Sequence, residues 1–569
     1  MYVREDLFRI LARVAETLGL GGVDFSLAPP RDSSHGDYAS NIALVAAKAR
    51  NENPMTLAER IAQTLREEKP DGVAGITATP PGFVNITLAP EIFVANLSSV
   101  LEQGAGYGRG DALSGRRVMI EYTDPNPFKE FHIGHLMSNA IGEALARLMD
   151  FGGAEVRRAN YQGDIGLHVA KAIWKLRGAA FLDEKLSPEE GVKRMNEAYK
   201  EGNQEFERDT AANRAQIQEL NKVIYEQSNP EINKIYKKGR DLSLRYFEEI
   251  YRRLGTIFDE YFFESEVAPR GKTLVEEYLE RGVFKKSDGA VIFRGEEEGL
   301  HTRVFLTAGG LPTYEAKDIG LAFLKQERWP SEQSFSVTGN EIAEYFKVVR
   351  AALRHINPEL AEKIVHIPHG MLRFKDAKMS SRKGNVVSAT TFLDEVKTLA
   401  LGKMRQAALV AQDRQEAVAD DIAIAAVKYA ILKQSIGRDI IFDPDSSLSF
   451  EGDSGPYVQY AHARACAVLA KAAATRLQPS VASPETPGKT ERQLFHFPEV
   501  AASALADRAP HVVCTYLVRL AQTFNHYYAQ TPILQGGDAA SYRLALAAGV
   551  KTVLARGLAL LGIAAPERM

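Results

Sequence analysis

The chain has 569 residues, of which 45% are hydrophobic and 25% are charged, and its formal net charge is −3. These are ordinary values for a globular protein, and they exclude a disordered or collagen-like chain. The length exceeds what one hydrophobic core supports and predicts three or four domains. No apolar run reaches the ~18 residues that a membrane span needs, so we expect a soluble protein.

The N-terminal segment, MYVREDLFRILARVAETLG, has the pattern of an amphipathic helix. Its acidic residues argue against a transit peptide, and it has no signal-peptide apolar core. The only cysteines are Cys466 and Cys514. Two thiols cannot form a four-cysteine zinc site, and a chain of this size needs no disulfide, which indicates a reducing compartment. We therefore expect a cytoplasmic protein without a bound metal.

Residues 1–110 have the pattern of a small α+β domain. Helical spacing of apolar residues occurs around Leu7–Leu18 and Ile42–Leu65, and the strand-like segment GFVNITL follows. The glycine-rich stretch Gly104–Gly110 is predicted to be a linker.

From Arg117 onward the pattern is that of a nucleotide-binding α/β unit. VMIEYT predicts a strand, DPNPFKEF a loop, and the segment from His132 a helix that stops at Gly152-Gly153. Strand, loop and helix in this order predict a Rossmann-type catalytic core with a parallel sheet. We place this core at residues 111–395.

Two further stretches are predicted to be helical. Residues 186–250 are charged and have helical spacing, which indicates an insertion in the α/β core. Nearly everything in residues 396–569 has helical spacing, which predicts an all-α C-terminal domain.

The segment His132-Ile-Gly-His135 opens the first helix of the core. A helix N-terminus presents free N–H groups and partial positive charge, which suit an anion such as a phosphate. Two histidines three residues apart share a helix face and can donate hydrogen bonds to phosphate oxygens. Gly134 leaves space where a base or ribose could approach the backbone. Taken alone, the segment fits equally well two partly exposed histidines at a helix start.

The segment Lys378-Met-Ser-Ser-Arg-Lys-Gly384 is predicted to be a basic loop. Its cations can neutralise charge on a leaving pyrophosphate, and Gly384 permits loop motion. A solvated loop without a function would have the same composition. The two segments occur in this order and about one catalytic domain apart, which favours a functional interpretation of both.

Together these segments resemble the HIGH and KMSKS signatures of class I aminoacyl-tRNA synthetases, and the wider likeness is to the arginyl-tRNA synthetases. It covers nearly the whole chain and is carried by EYTDPNPFKEFHIGHLMSN, NYQGDIG, LPTYEAKDIG, GPYVQYAHAR, PGFVNITL and the closing LGIAAPERM. The resemblance implies an arginine–tRNA ligase, which uses ATP to form arginyl-adenylate and transfers arginine to the terminal ribose of tRNA(Arg).

The resemblance also implies which residues bind ATP and act in catalysis. The second lysine of KMSKS is replaced by Ser381, and the family offers Lys129 as the compensating cation. The implied catalytic residues are Lys129, His132, His135 and Lys378. The implied ATP-binding residues are His132, Gly134, His135, Lys378, Met379, Ser380 and Ser381.

Tyr314 and Asp318 are implied as the residues that read the guanidinium group of arginine. They are four apart at a predicted helix start, hence on one face, and a carboxylate suits the guanidinium fork. Asp318 could instead cap the helix. The full implied arginine-binding set is Glu121, Tyr122, Thr123, Asn126, His135, Tyr314, Asp318 and Glu341, with the Glu121–Asn126 loop acting through its backbone.

Two positions depart from the pattern of the family. Thr123-Asp124 stands where the family has two serines, and Ile342, next to Glu341, stands where a glutamine is common. Whether Asp124 or Ile342 contacts the substrate stays open.

The tRNA contacts are also implied by the resemblance. Phe83 and Asn85 fall on positions that contact a splayed D-loop base by stacking and edge hydrogen bonds. A strand with one inward phenylalanine is the alternative. The anticodon contacts are expected from Tyr457, Tyr460, Arg464 and Met569, where tyrosines that merely pack a helix are the alternative.

The expected partners are L-arginine, ATP with Mg²⁺, and tRNA(Arg), and the expected state is a monomer. A cysteinyl-type synthetase would need a zinc-ligand set, which two cysteines do not readily supply. A glutamyl-type enzyme should have a cation where Asp318 stands. A non-catalytic RNA-binding relative is a third alternative, against which the presence of His132, His135 and Lys378 argues.

Overall fold

The structure is a computed structural model that describes residues 3–30, 32–177, 180–208, 211–375, 387–407, 414–482 and 484–569. The chain divides into two compact units. Unit 1 comprises Met1–Tyr107, Val468–Phe497 and Thr523–Val553, and unit 2 comprises Gly108–Ala467, Pro498–Gln522 and Leu554–Met569. Among the described residues, no helix is both long and apolar enough to cross a membrane.

The N-terminal part of unit 1 is a small sheet with helices. The helices are α1 (Val3–Thr17), α2 (Ile42–Arg50), α3 (Pro54–Glu68) and α4 (Pro90–Gln103), and the strands are β1 (Leu27–Ala28), β2 (Tyr38–Ser40), β3 (Val73–Thr79) and β4 (Phe83–Leu88). The sheet is antiparallel in the order β1-β2-β4-β3. Apolar side chains from these helices and from the sheet form one core, because both present an apolar face to it.

The helical pattern at Ile42–Leu65 corresponds to two helices. After α2, Asn51 adopts a left-handed backbone with φ of 55°. The side chain of Asn53 then caps the start of α3, where Pro54 stands at the first position. Proline fits the first turn of a helix but not its interior, so the chain must start a new helix there.

Unit 2 is built around a five-stranded sheet. Its strands are β5 (Arg117–Tyr122), β6 (Glu155–Gln162), β7 (Glu260–Phe263), β11 (Gln333–Gly339) and β12 (Ile364–His369). The order is β12-β11-β5-β6-β7, and all neighbouring pairs are parallel. The chain progresses outward from β5 in one direction through β6 and in the other through β11. The boundary between β5 and β11 is therefore the topological switch point, at which open α/β sheets bind ligands.

The smaller sheets of unit 2 lie outside this core sheet. β8 (Lys285–Ser287), β9 (Ala290–Phe293) and β10 (Arg303–Leu306) form an antiparallel sheet, and β13 (Leu372–Phe374) pairs in parallel with β14 (Ile440–Phe442).

Helices account for most of the other described residues. Those up to the last core strand are α5 (Ile133–Phe151), α6 (Leu167–Leu176), α7 (Pro188–Glu207), α8 (Ala211–Glu226), α9 (Pro230–Leu254), α10 (Glu264–Glu280), α11 (Tyr314–Arg328), α12 (Ala343–Ile356) and α13 (Pro358–Lys363). The later ones are α14 (Ala389–Ala407), α15 (Gln415–Leu432), α16 (Pro444–Ser447), α17 (Gly455–Ala474), α18 (Lys489–Phe495), α19 (Phe497–Ala506), α20 (Pro510–Gln530) and α21 (Asp538–Leu560).

The predicted fold class is confirmed: a parallel Rossmann-type sheet with helices, a small α+β N-terminal part and a helical C-terminal part. The helices α7 to α9 occupy the stretch predicted as a helical insertion. The division into three domains at residues 110 and 395 stays a prediction.

Candidate active site

Two histidines at the start of α5 cap that helix reciprocally. Nδ1 of His132 accepts hydrogen bonds from the backbone N–H groups of Gly134 at 3.1 Å and of His135 at 3.4 Å. Nδ1 of His135 accepts from the N–H of His132 at 3.2 Å, and the two rings stack with centroids 3.5 Å apart. Because each Nδ1 accepts, each neutral ring carries its proton on Nε2 and can donate it outward.

Both histidines are neutral at physiological pH. Burial and the charge of Lys129 lower the pKa of His132 to about 4. Burial, His132 and Lys129 hold the pKa of His135 well below its ordinary value. The pair therefore presents N–H dipoles to an incoming phosphate, not full positive charges.

Gly134 has a role in this cap that the sequence pattern did not reveal. A Cβ at this position would lie 2.9 Å from Cε1 of His132. Real Cβ atoms do not approach a ring atom so closely, so the glycine makes room for the capping imidazole itself.

Lys129 lies next to the two histidines. Its Nζ is 4.3 Å from the ring centroid of Tyr199 in α7, an arrangement in which a cation is attracted to an aromatic face. Burial and the charge of Lys171 lower the pKa of Lys129. The structure thus brings Lys129 together with His132 and His135, and its catalytic role stays a prediction.

The predicted basic loop is the second half of this candidate ATP site. Lys378, Met379, Ser380 and Ser381 lie outside the described residues. The chain that follows them is anchored to the start of α5: the carbonyl of Val387 accepts from the N–H of Ile133 at 3.1 Å, and the N–H of Ala389 donates to the carbonyl of Phe131 at 2.8 Å.

The loop after β5 begins in an unusual backbone conformation. Thr123 and Asp124 have φ of 81° and 46°, which non-glycine residues adopt only where the surroundings impose it. The N–H of Thr123 donates to Oγ of Ser138, and Oγ1 of Thr123 accepts from Nδ2 of Asn139. Oδ1 of Asp124 accepts from the N–H of Tyr161. The Thr123 and Asp124 side chains therefore hold the loop in place.

Tyr122 and Asn126 flank this strained turn. The Tyr122 side chain is buried beneath α5 and donates from its hydroxyl to Glu143, so only its backbone faces the loop. A Cβ on Gly163 would lie 2.2 Å from Oδ1 of Asn126. Asn126 thus packs directly over the glycine of the NYQGDIG segment, and the two predicted segments meet at the carboxyl ends of β5 and β6.

Glu121, at the end of β5, forms a buried ion pair. Its carboxylate lies 2.6 Å from Nζ of Lys325 in α11, and the exposed fractions of the two residues are 3% and 7%. Burying two charges is tolerated only when they are paired, so each fixes the position of the other. The sequence analysis did not identify Lys325, although it lies seven residues after Asp318 and hence on the same face of α11.

Asp318 lies in the second turn of α11, and its side chain does not cap that helix. The N-cap residue is Thr313. Oδ2 of Asp318 accepts a hydrogen bond of 2.6 Å from the hydroxyl of Tyr345 in α12. Tyr314, one turn earlier, is 59% exposed, and its ring lies 4.9 Å from Nζ of Lys317. The structure therefore excludes the helix-cap interpretation, and in the sequence of α11 an exposed aromatic ring precedes a half-buried carboxylate by one turn.

The surroundings of Asp318 are rich in carboxylates. Burial raises its pKa to about 7, helped by Glu121 and Glu264, whereas Tyr345 and Lys325 act in the opposite direction. Such a shift marks a carboxylate that lacks a full counter-charge of its own. A cationic ligand would supply that charge.

A cavity opens beside Asp318 between α11, α12 and the sheet. Glu121, Lys325, Ser334 and Ser336 also line it. The two serines lie on the same face of β11, which an ordinary buried strand would fill with apolar side chains. The pocket floor is therefore polar where it adjoins the carboxylates.

Glu341 lies at the same edge of the sheet, just after β11. It is exposed, and a Cβ on Gly339 would lie within 2.2 Å of its carboxylate, so its side chain folds back over the end of the strand. Ile342, which follows it, ends the same short turn.

The candidate tRNA-binding residues of β4 differ in exposure. Asn85 is only 2% exposed, and its Nδ2 donates to Oγ1 of Thr79 on the neighbouring strand at 2.8 Å. Phe83, two residues earlier on the same face, is half-buried. In this hairpin Asn85 fixes the two strands, and Phe83 is the residue that reaches the surface.

The candidates in the C-terminal region lie on α17 and at the chain end. Tyr457, Tyr460 and Arg464 are half-buried, and Arg464 donates to the Tyr460 hydroxyl at 3.1 Å. The chain end runs along the same helix: Gln459 donates to the carbonyl of Ala564 at 2.9 Å, and Nδ1 of His462 contacts the carbonyl of Pro566 at 3.0 Å. Met569, which is half-buried, closes this segment.

Three models of known protein families together match nearly the full length of the chain. The model of the class I (R) tRNA synthetase catalytic domain matches residues 96–444, that of the DALR anticodon-binding domain matches 458–569, and that of the arginyl-tRNA synthetase N-terminal domain matches 4–88. The first of these alone spans more than half of the chain.

Individual relatives agree with these matches. The arginine–tRNA ligase of Treponema denticola is 31% identical over 563 residues, which is 96% of this chain and 95% of the relative. That of Lactobacillus acidophilus is 32% identical over 551 residues, 95% of each chain. The solved arginyl-tRNA synthetase of Thermus thermophilus superposes with a TM-score of 0.79 at 27% identity and full coverage of both chains. The predicted resemblance is confirmed, and the chain belongs to the arginyl-tRNA synthetase family of class I aminoacyl-tRNA synthetases.

Proposed function

We propose that the chain ligates L-arginine to tRNA(Arg) with ATP as the energy source. The observation that carries this proposal is the half-buried Asp318 carboxylate, which lines a cavity together with Glu121, Ser334 and Ser336. Arginine is a permanent cation whose planar guanidinium suits such a carboxylate. Membership of a class I synthetase family supports an ATP-dependent reaction.

In the first step, a carboxylate oxygen of arginine attacks the α-phosphorus of ATP, and the bond from that phosphorus to the β-phosphate oxygen breaks. Pyrophosphate leaves with the electron pair, and arginyl-adenylate remains. The neutral His132 and His135 would donate from Nε2 to phosphate oxygens at the start of α5. Lys129 would stabilise the charge that develops on the transferring phosphate.

In the second step, a hydroxyl of the terminal tRNA ribose attacks the activated carbonyl carbon, and AMP leaves. The protein contributes by positioning the reactants, since the adenylate is already reactive. The Glu121–Asn126 loop would bind the α-amino and carboxylate groups of arginine through its backbone. Phe83 in β4 and Tyr457, Tyr460, Arg464 and Met569 near α17 are the proposed tRNA contacts.

Mg²⁺ would enter this site bound to the phosphates of ATP. Among the described residues, no group of three or more His, Cys, Asp or Glu side chains is arranged to hold a metal ion. We assign no residue of this chain to Mg²⁺. We further propose that the enzyme acts as a cytoplasmic monomer.

The test is arginine-dependent exchange of pyrophosphate into ATP in the presence of total tRNA. We expect exchange with arginine and none with cysteine, glutamate or lysine, because only arginine offers a guanidinium to Asp318. Charging of tRNA with radioactive arginine should follow the same preference. Exchange that depends on another amino acid would overturn the arginine assignment.

A further inference from the structure

Tyr345 is the only hydrogen-bond donor that the described structure gives to the Asp318 side chain. The hydroxyl of this half-buried tyrosine donates to Oδ2 at 2.6 Å, which is short for a hydrogen bond between oxygens and typical of a charged acceptor. The two residues come from different helices, α11 and α12, 27 positions apart. With Oδ2 occupied in this way, Oδ1 remains available to a ligand.

We propose that Tyr345 is a specificity-determining positioning residue, which holds the Asp318 carboxylate ionised and oriented for the guanidinium of arginine. This inference rests on the proposed function, because it assigns the substrate of Asp318 to arginine. Tyr345 acts through Asp318 and need not touch the substrate itself.

The groups that face Asp318 explain why such a donor is needed. Glu121 from β5 and Glu264 from α10 raise the pKa of Asp318. Burial and the charges of Glu121 and Asp318 raise the pKa of Asp124, in the loop after β5. Tyr161 from β6 also faces Asp318, and burial together with the charges of Glu264 and Asp318 raises the pKa of its hydroxyl. Lys325 from α11 acts in favour of the charge but is already paired with Glu121.

The pH dependence follows from these contacts. Asp318 must be ionised to bind a guanidinium, and its pKa of about 7 lies well above the ordinary value. Arginine binding should therefore weaken as pH falls through 7 and strengthen as pH rises above it. Removing the Tyr345 hydroxyl removes a donor that lowers this pKa, so the weakening should begin at a higher pH.

The experiment compares the wild type with Tyr345→Phe in arginine-dependent pyrophosphate exchange with tRNA, from pH 6 to pH 9. We expect the KM for arginine to rise roughly tenfold at pH 7, within the range for losing a hydrogen bond to a charged group. The ratio of the mutant KM to the wild-type KM should shrink toward pH 9, where both carboxyls are ionised. The KM for ATP and the kcat at saturating arginine should change little.

Tyr278→Phe is the matched control. The Tyr278 hydroxyl donates to the carbonyl of Ile356 at the end of α12, at 3.1 Å, so this variant removes a hydroxyl that packs against the same helix. It should leave the KM for arginine and its pH dependence unchanged, and thermal melting should show that both variants fold.

Three outcomes are distinguishable. A wild-type enzyme without arginine-dependent exchange at any pH would overturn the proposed function. An active wild type whose KM for arginine equals that of Tyr345→Phe at every pH would overturn the inference alone. So would a Tyr345→Phe variant whose KM differs from the wild type by the same factor at every pH, because a structural defect does not titrate.

Discussion

The proposed function assigns the choice of amino acid to the charge of Asp318. In Asp318→Asn, the volume and one acceptor remain, but arginine enters as an unpaired cation in a partly desolvated pocket. Breaking a buried charge pair costs ~3–5 kcal/mol, so kcat/KM for arginine should fall by at least ~10²-fold. Steady-state pyrophosphate exchange measures this loss.

The loss should be confined to arginine. The KM for ATP, the affinity for tRNA and the melting temperature should change little, since Thr313, not Asp318, is the N-cap residue of α11. An Asp318→Asn enzyme with undiminished kcat/KM for arginine would remove Asp318 from the binding site.

His132, a residue of the candidate ATP site, makes the stability of the protein depend on pH in the acid range. Its pKa is about 4 in the folded protein, below its ordinary 6.5, so the folded state binds fewer protons than the unfolded state between these values. Stability is therefore lost as pH falls through that window. His132→Asn keeps a capping side chain but removes the titrating group. The drop in melting temperature from pH 7.5 to pH 5 should be smaller in this variant than in the wild type, and an equal or larger drop would contradict the prediction.

The individual site residues differ in how far the sequence could predict them. His132, Gly134 and His135 form a contiguous motif at a helix start, so their proximity follows from local structure. Tyr345 and Lys325 could not be found in this way. Their partners are Asp318 and Glu121, and each contact depends on how α11 packs against a strand or helix that is distant in sequence.

The same distinction holds for whole elements. The strand, loop and helix from Arg117 to Phe151 were predictable because the hydrophobic period changes from strand to helix within one segment. The break between α2 and α3 depends on the left-handed backbone conformation of Asn51 and on Pro54 at the start of α3. The spacing of apolar residues does not reveal either feature.

Helices α7 and α8 contact lysines beside the candidate ATP and arginine sites. Tyr199 of α7 covers Lys129, and the Tyr225 ring of α8 lies 5.5 Å from Nζ of Lys317. Lys317 is itself paired with the buried Glu264. Helices α7 and α8 thus contact Lys129 and Lys317, which flank the two candidate substrate positions.

The contact between Tyr199 and Lys129 allows the contribution of the helical insertion to activity to be tested. Lys129→Ala should lower kcat by ~10²–10³-fold with little change in the KM for arginine, because its charge would act mainly in the transition state. Tyr199→Leu should lower kcat in the same direction by roughly 2- to 30-fold, the range of one cation–π contact. Single-turnover formation of adenylate measures both.

Tyr199→Phe is the control, since it retains the aromatic face and loses only the hydroxyl. The kcat of this variant should remain close to that of the wild type. A Lys129→Ala enzyme whose kcat lies within about threefold of the wild-type value would show that another cation stabilises the transition state or that no such cation is needed.

At the scale of the whole molecule, the proposed tRNA contacts are distributed over both compact units. Phe83 belongs to unit 1, and Tyr457, Tyr460 and Arg464 belong to unit 2. A long nucleic acid that contacts both can contribute binding energy far from the reacting groups, and such energy can be used to organise them.

We therefore expect amino-acid activation to depend on tRNA. The second lysine of the KMSKS signature is Ser381 here, so the chain lacks one of the cations that usually favours departure of pyrophosphate. Arginine-dependent pyrophosphate exchange should be negligible without tRNA and robust with tRNA(Arg). An unrelated tRNA at the same concentration is the control, because it supplies the same phosphate charge without the specific contacts, and it should not restore exchange. Equal exchange rates with and without tRNA(Arg) would show that the free enzyme already holds ATP and arginine in reactive geometry.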